Sequence, residues 1–137
     1  MLTSLDTDGE GIYNNIGYKN GVYISSTGEN TPSTDGIDAT TVATGFIPYS
    51  FETLYIKGAT INVGTSHCRA QYITADFKSK YQFAVGSMAW ADHITIETLG
   101  TDYYKLTPKH TFDGIAYIRF SLIGQGEGLI ISMKAIT

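Results

Sequence analysis

The chain has 137 residues, 9 Lys and Arg against 13 Asp and Glu, a net charge of −4, and only 16% charged residues, where an average soluble domain carries about 25%. That length fits one domain, and the acidic balance argues against a protein that tracks nucleic-acid phosphates. No apolar run approaches the roughly 18 residues of a membrane span, Met1 to Asp6 carries no signal-peptide features, and the lone Cys68 excludes an intramolecular disulfide and a multi-cysteine zinc site.

The residues that remain favour strands, with 18 Thr, 16 Ile and 10 Tyr beside 15 Gly. Residues 1–20, rich in Asp, Gly and Asn, read as an extended N-terminal arm, and residues 21–137 as a single β-sandwich domain. A strand is expected at residues 21–25. Residues 28–41 are almost wholly polar and turn-forming, and read as a long surface loop. Residues 53–57 alternate with Leu54 and Ile56 inward, Gly58 marks a bulge, and Ile61 and Val63 resume the phase. Residues 69–74 and 81–85 flank a turn at residues 75–80 and predict a hairpin. Residues 86–92, with the single tryptophan Trp90, are irregular. Strands follow at residues 93–97 and 103–106. The clearest alternation is residues 115–123, with Ala116, Ile118, Phe120 and Leu122 on one face and Tyr117, Arg119 and Ser121 on the other. Residues 129–134 repeat it, and the glycine-rich 124–128 between them predicts another hairpin. The expectation is an all-β, antiparallel, jelly-roll-like β-sandwich of about eight or nine strands.

An ordered series of short blocks carries a resemblance. Leu5-Asp6-Thr7-Asp8-Gly9, Ile12-Tyr13-Asn14, Gly17-Tyr18-Lys19-Asn20-Gly21 and Ile24-Ser25-Ser26-Thr27-Gly28 come first. Thr44-Gly45-Phe46-Ile47-Pro48, Leu54-Tyr55-Ile56-Lys57-Gly58, Tyr117-Ile118-Arg119-Phe120-Ser121 and Leu129-Ile130-Ile131 follow. In this order the chain resembles C-terminal β-sandwich domains of phage and prophage tail, baseplate or decoration proteins, which are similar to carbohydrate-binding modules. The resemblance spans roughly residues 5 to 133. It implies a non-catalytic virion component, made in the bacterial host cytoplasm and displayed on the particle. Its implied partners are other virion proteins and a host cell-surface glycan, with a homo-oligomer, trimeric by preference; charge and hydropathy point away from nucleic acid and membrane insertion, and no cofactor is expected.

Two groups of side chains suit a sugar. Trp90 with Met88, and Tyr103 with Tyr104, offer rings on which sugar C–H faces stack. The competing reading is a tryptophan that plugs one end of the sandwich. The outward face Tyr117, Arg119 and Ser121 combines ring, cation and hydroxyl, which also suits a solvated face or a subunit contact. Asp6, Asp8 and Glu10, with Asp35 and Asp38 as helpers, are weak calcium candidates, because the EF-hand spacing is missing. His67 and Cys68 are adjacent and point to opposite faces of an extended strand, against a shared metal or nucleophile pair. His93 and His110 are isolated in sequence. The alternatives to adhesion are a purely structural decoration or assembly protein and a glycan depolymerase using two carboxylates, for which no pair stands out.

Overall fold

A computed structural model describes residues 12–13, 17–33, 40–84 and 89–136. The described elements, in chain order, are β1 (Ile12–Tyr13), β2 (Tyr18–Asn20), β3 (Val22–Ile24), β4 (Asn30–Pro32), β5 (Thr41–Thr44), β6 (Ile47–Pro48), β7 (Leu54–Lys57), β8 (Arg69–Thr74) and β9 (Lys80–Phe83). A single helical turn α1 (Trp90–His93) precedes β10 (Ile94–Gly100), β11 (Tyr103–Pro108), β12 (Ile115–Ile123) and β13 (Ile130–Ser132). The fold is all-β, and every pairing between its strands is antiparallel. The first sheet runs β1-β13-β7-β11-β10. The second runs β2-β5-β12-β8-β9, with β6 also on β12. β3 and β4 form a separate two-stranded ribbon.

The two large sheets make the sandwich, and alternation decides which side chains fill it. Leu54 and Ile56 on β7, Tyr104 and Leu106 on β11, Ile94 on β10 and Ile131 on β13 come from the first sheet. They meet Val42 on β5, Ala70 and Tyr72 on β8, Phe83 on β9, and Ile118, Phe120 and Leu122 on β12. Each large apolar side chain buried in this layer contributes about 1.5–3 kcal/mol.

The second sheet is also covered on its outer side. β5, β8 and β12 are buried on both faces in their central stretches, because β3 packs across all three and lays Val22 and Ile24 on them. The molecule is therefore three layers thick there.

The described residues hold thirteen strands, more than the expected eight or nine. The additional ones lie where apolar alternation is weak. Asn30–Pro32 falls within the stretch expected as a surface loop, Thr41–Thr44 starts at its last residue, and β1 and β2 lie within the expected arm. Such polar segments join a sheet through backbone pairing, which hydrophobic periodicity does not report. The hairpin expected at residues 75–80 is present between β8 and β9, and the two strands expected at residues 93–97 and 103–106 are β10 and β11, which pair with each other. The hairpin expected around residues 124–128 is not formed. β12 lies in the second sheet and β13 in the first, where β13 pairs with β7. Both strands point their apolar faces into the same interior from opposite sides, so alternation alone does not tell a hairpin from a crossing between sheets. Residues 60–63 form no strand, and Thr60 makes an isolated bridge to Ile123. Gly58 does end β7 at a bend. Its φ is +104°, and a Cβ there would sit 2.5 Å from the Gly128 carbonyl oxygen.

Candidate functional site

The outward face of β12 holds two different environments. Arg119 and Ser121 lie beneath the β3–β4 ribbon and are 7% and 0% exposed. Arg119 donates through Nε to Gln71 Oε1 at 2.6 Å, through Nη1 to Asn30 Oδ1 at 2.7 Å and through Nη2 to the Gly28 carbonyl at 2.8 Å. Gln71 Nε2 donates in turn to the Gly28 carbonyl and to Gln82 Oε1, and Gln82 Nε2 to the Ser26 carbonyl. Ser121 Oγ donates to the His67 carbonyl. One cation and two amides thus tie the ribbon to the second sheet. Burial pulls the Arg119 guanidinium down to about 10, while Glu29 favours the charged form, so it remains a cation at neutral pH. Glu29 carries the tie to the surface through an ion pair with Lys80 at 3.1 Å. Its carboxyl is held below the usual range by hydrogen bonds from Thr27 and Lys80.

Two residues earlier on the same face, Tyr117 lies beyond this network and is only half-buried. Its ring meets Phe77 edge-on at 5.4 Å between centroids and Phe46 at 6.4 Å, and Phe46 and Phe77 are 5.3 Å apart. Phe46 comes from the loop between β5 and β6, and Phe77 from the tight turn between β8 and β9. The Arg119 guanidinium stacks 4.9 Å from the Phe46 ring centre and fixes it from the buried side. Phe46 and Phe77, tilted 33° apart, with Tyr117 edge-on to both, make an open aromatic platform, to which Phe77, 50% exposed, contributes most surface.

Phe77 is held there against its own preference. Its φ is +62°, in the left-handed region that costs a residue with a Cβ about 1–2 kcal/mol. The turn enforces it by hydrogen bonding. Phe77 N–H donates to the Thr74 carbonyl, while Asp76 Oδ1 accepts from Thr74 Oγ1 at 2.7 Å and from Lys78 N–H at 3.0 Å. These bonds hold the Asp76 carboxyl below its usual range.

Polar groups flank the platform. Tyr18, Lys19, Asn30, Thr44 and Arg119 border a small cleft of about 50 Å³ beside Phe46. At the base of the Phe77 turn, Thr74, Asp76, Ser79 and Gly114 line an open depression of about 330 Å³. Rings beside hydroxyl, amide and carboxylate groups provide the two interactions a sugar uses, stacking on its C–H face and hydrogen bonding to its hydroxyls.

The other residues singled out in the sequence lie elsewhere. Trp90 is 1% exposed. It stacks 6.3 Å from Phe120, meets Phe83 edge-on, and donates Nε1–H to the Cys68 carbonyl at 3.0 Å. Tyr104 is buried in the sandwich. Tyr103 lies on the opposite face of β11 beside Tyr55, with Lys57 Nζ over its ring and its hydroxyl accepting from Ile136 N–H. Trp90, Tyr103 and Tyr104 therefore share no platform, since Trp90 faces the interior beside the second sheet and Tyr103 faces outward from the first. Met88, Asp6, Asp8, Glu10, Asp35 and Asp38 lie outside the described residues. His67 stacks on Tyr23 of the ribbon at 3.8 Å, while Cys68 is buried in the core, on opposite sides of the second sheet. No group of three or more His, Cys, Asp or Glu converges among the described residues.

Sequence reasoning missed Phe46 and Phe77. The available signal was an aromatic in a tight turn, a place where Gly, Asn or Asp is the low-strain choice. No protein-family model, curated protein or solved structure matches the chain significantly.

Proposed function

We propose that the protein is a non-catalytic structural and adhesive module of a phage particle, displayed on a tail fibre, baseplate or capsid surface, that binds host cell-surface carbohydrate. The observation that carries the binding half of this reading is the Phe46, Phe77 and Tyr117 platform. Phe77 is half-exposed and held in a strained turn, and such strain concentrates at functional sites. The sugar stacks on the exposed Phe77 ring, while Asn30, Tyr18, Asp76 and Ser79 read its hydroxyls. The low charge and abundant hydroxyls of the chain suit such wet, hydrogen-bonded contacts. The particle half of the reading rests on the resemblance of residues 5–133 to phage tail and decoration domains. Many copies on one particle, trimers among them, convert a weak site into firm attachment.

The test is a glycan array, and intact host cells, probed with the domain clustered on beads. Binding by wild type and its loss in Phe77→Ala supports the reading. Beads that ignore glycans and cells recognised by intact particles overturn it.

One observation favours the purely structural alternative. On the outer face of the first sheet, Tyr55 pairs with Lys105 and Tyr103 with Lys57 across β7 and β11. Tyrosine rings on an outer sheet face suit a neighbouring virion subunit. That alternative predicts an assembly that leaves the Phe77 platform free and is disrupted by Tyr55→Ala.

A further inference from the structure

His93 and His110, far apart in sequence, are brought together by the fold. The β10–β11 ladder extends into α1, where Lys109 N–H donates to the His93 carbonyl at 2.9 Å, and His110 follows immediately. Their facing nitrogens, His93 Nδ1 and His110 Nε2, are 2.9 Å apart. Neighbouring rings hold both imidazoles. His110 stacks on Phe112 at 5.0 Å, and His93 packs against Phe83 at 4.9 Å and Phe112 at 5.5 Å. His110 is exposed and His93 half-buried, so solvent reaches the pair.

We propose that His93 and His110 form a two-imidazole site for a divalent transition-metal ion, with water completing its coordination. The 2.9 Å separation is that of the hydrogen bond between the two rings, and a small turn of the exposed His110 lets both nitrogens meet one ion at about 2.0–2.1 Å. Imidazole donors bind Cu²⁺ most tightly among the first-row divalent ions. In the metal-free pair one ring donates its N–H to the other. Binding needs a lone pair on both facing nitrogens, so the donor ring shifts that proton to its remote nitrogen, and no net proton is released at neutral pH. The nearest cation on the same strand end, Lys109, directs its Nζ to the Ala91 carbonyl, and Asp92 beside His93 favours a bound cation.

Trp90 reports on the site. It lies in the same helical turn as His93, and both contact Phe83, so paramagnetic Cu²⁺ on the histidines quenches the fluorescence of the only tryptophan. Titration of the full chain with CuCl₂ at pH 7.5 is expected to give saturable quenching. Half-saturation moves up by about tenfold or more in His93→Ala and in His110→Ala, and stays in place in His67→Ala. His110→Asn, at an exposed position, guards against loss through misfolding and is expected to behave as His110→Ala. Competition should rank Cu²⁺ above both Ni²⁺ and Zn²⁺. Quenching that is absent, or equal in wild type and both His110 variants, overturns the site.

Discussion

Tyr117 and Arg119 leave the same face of the same strand two residues apart, yet one ends in an open aromatic platform and the other in a buried polar network. Arg119 has three protein acceptors and almost no contact with solvent. Tyr117 has two rings for neighbours and remains half open. What separates them is the β3–β4 ribbon, which covers one and stops short of the other. A sheet face is thus not one functional unit. The covered part contributes to stability, the open part is free to bind, and Arg119, stacked on Phe46, joins the two.

Arg119→Met is the strongest way to break this contrast. It leaves Gln71 Oε1 and the Gly28 carbonyl without a charged donor beneath the ribbon, and is expected to cost about 2–4 kcal/mol in urea unfolding. A loss below about 0.5 kcal/mol would mean that the network does not hold the ribbon. Gly28→Ala comes next. Its φ is +92°, and a Cβ there would sit 2.4 Å from Gln71 Nε2, which Arg119 fixes in place. A loss of about 1–3 kcal/mol in the same assay is expected from strain and overpacking.

Phe77→Gly sharpens the contrast from the other side. It relieves the left-handed backbone, so stability should change by less than about 1 kcal/mol in either direction, while glycan binding should fall by about tenfold or more. A stability loss as large as that of Arg119→Met would make Phe77 a packing residue.

The smallest effect expected is one of pH. His93 has a lowered pKa in the folded protein, so the unfolded chain binds the proton more readily. Stability is then fully present above the ordinary histidine value near 6.5 and declines as pH falls below it. The carboxyls of Glu29, Asp76 and Glu127 are lowered as well, and their contributions are lost only at more acid pH, below about 4.5. Thermal melts from pH 7.5 to 5.5 should show a modest fall in Tm that His93→Gln removes and Arg119→Met retains, which separates this end of the molecule from the ribbon.

Much of the fold was legible. Period-two spacing identified the inward residues Leu54, Ile56, Ile118, Phe120 and Leu122, because burial of one face leaves its imprint every second residue. It also placed Tyr117, Arg119 and Ser121 together on the other face. It did not reveal the third layer, because the ribbon is held largely by polar bonds from Arg119, Gln71 and Gln82 to backbone carbonyls, and those partners lie 43 to 91 residues away in sequence. Trp90 carries both an apolar ring and a polar N–H, so composition fits a binding surface as well as the core position it takes with Phe83, Phe120 and the Cys68 carbonyl. Phe46, Phe77 and Tyr117 come from a loop, a turn and a strand, and only the fold assembles them. The same holds for the two histidines.

The most direct test of the central claim is saturation-transfer NMR of the domain with a glycan selected on the array, run on wild type, Phe77→Ala and Trp90→Phe. Strong transfer from aromatic protons to sugar C–H groups in wild type, lost in Phe77→Ala and kept in Trp90→Phe, is the predicted result. Transfer that survives Phe77→Ala unchanged in a folded protein would contradict it and place the sugar elsewhere.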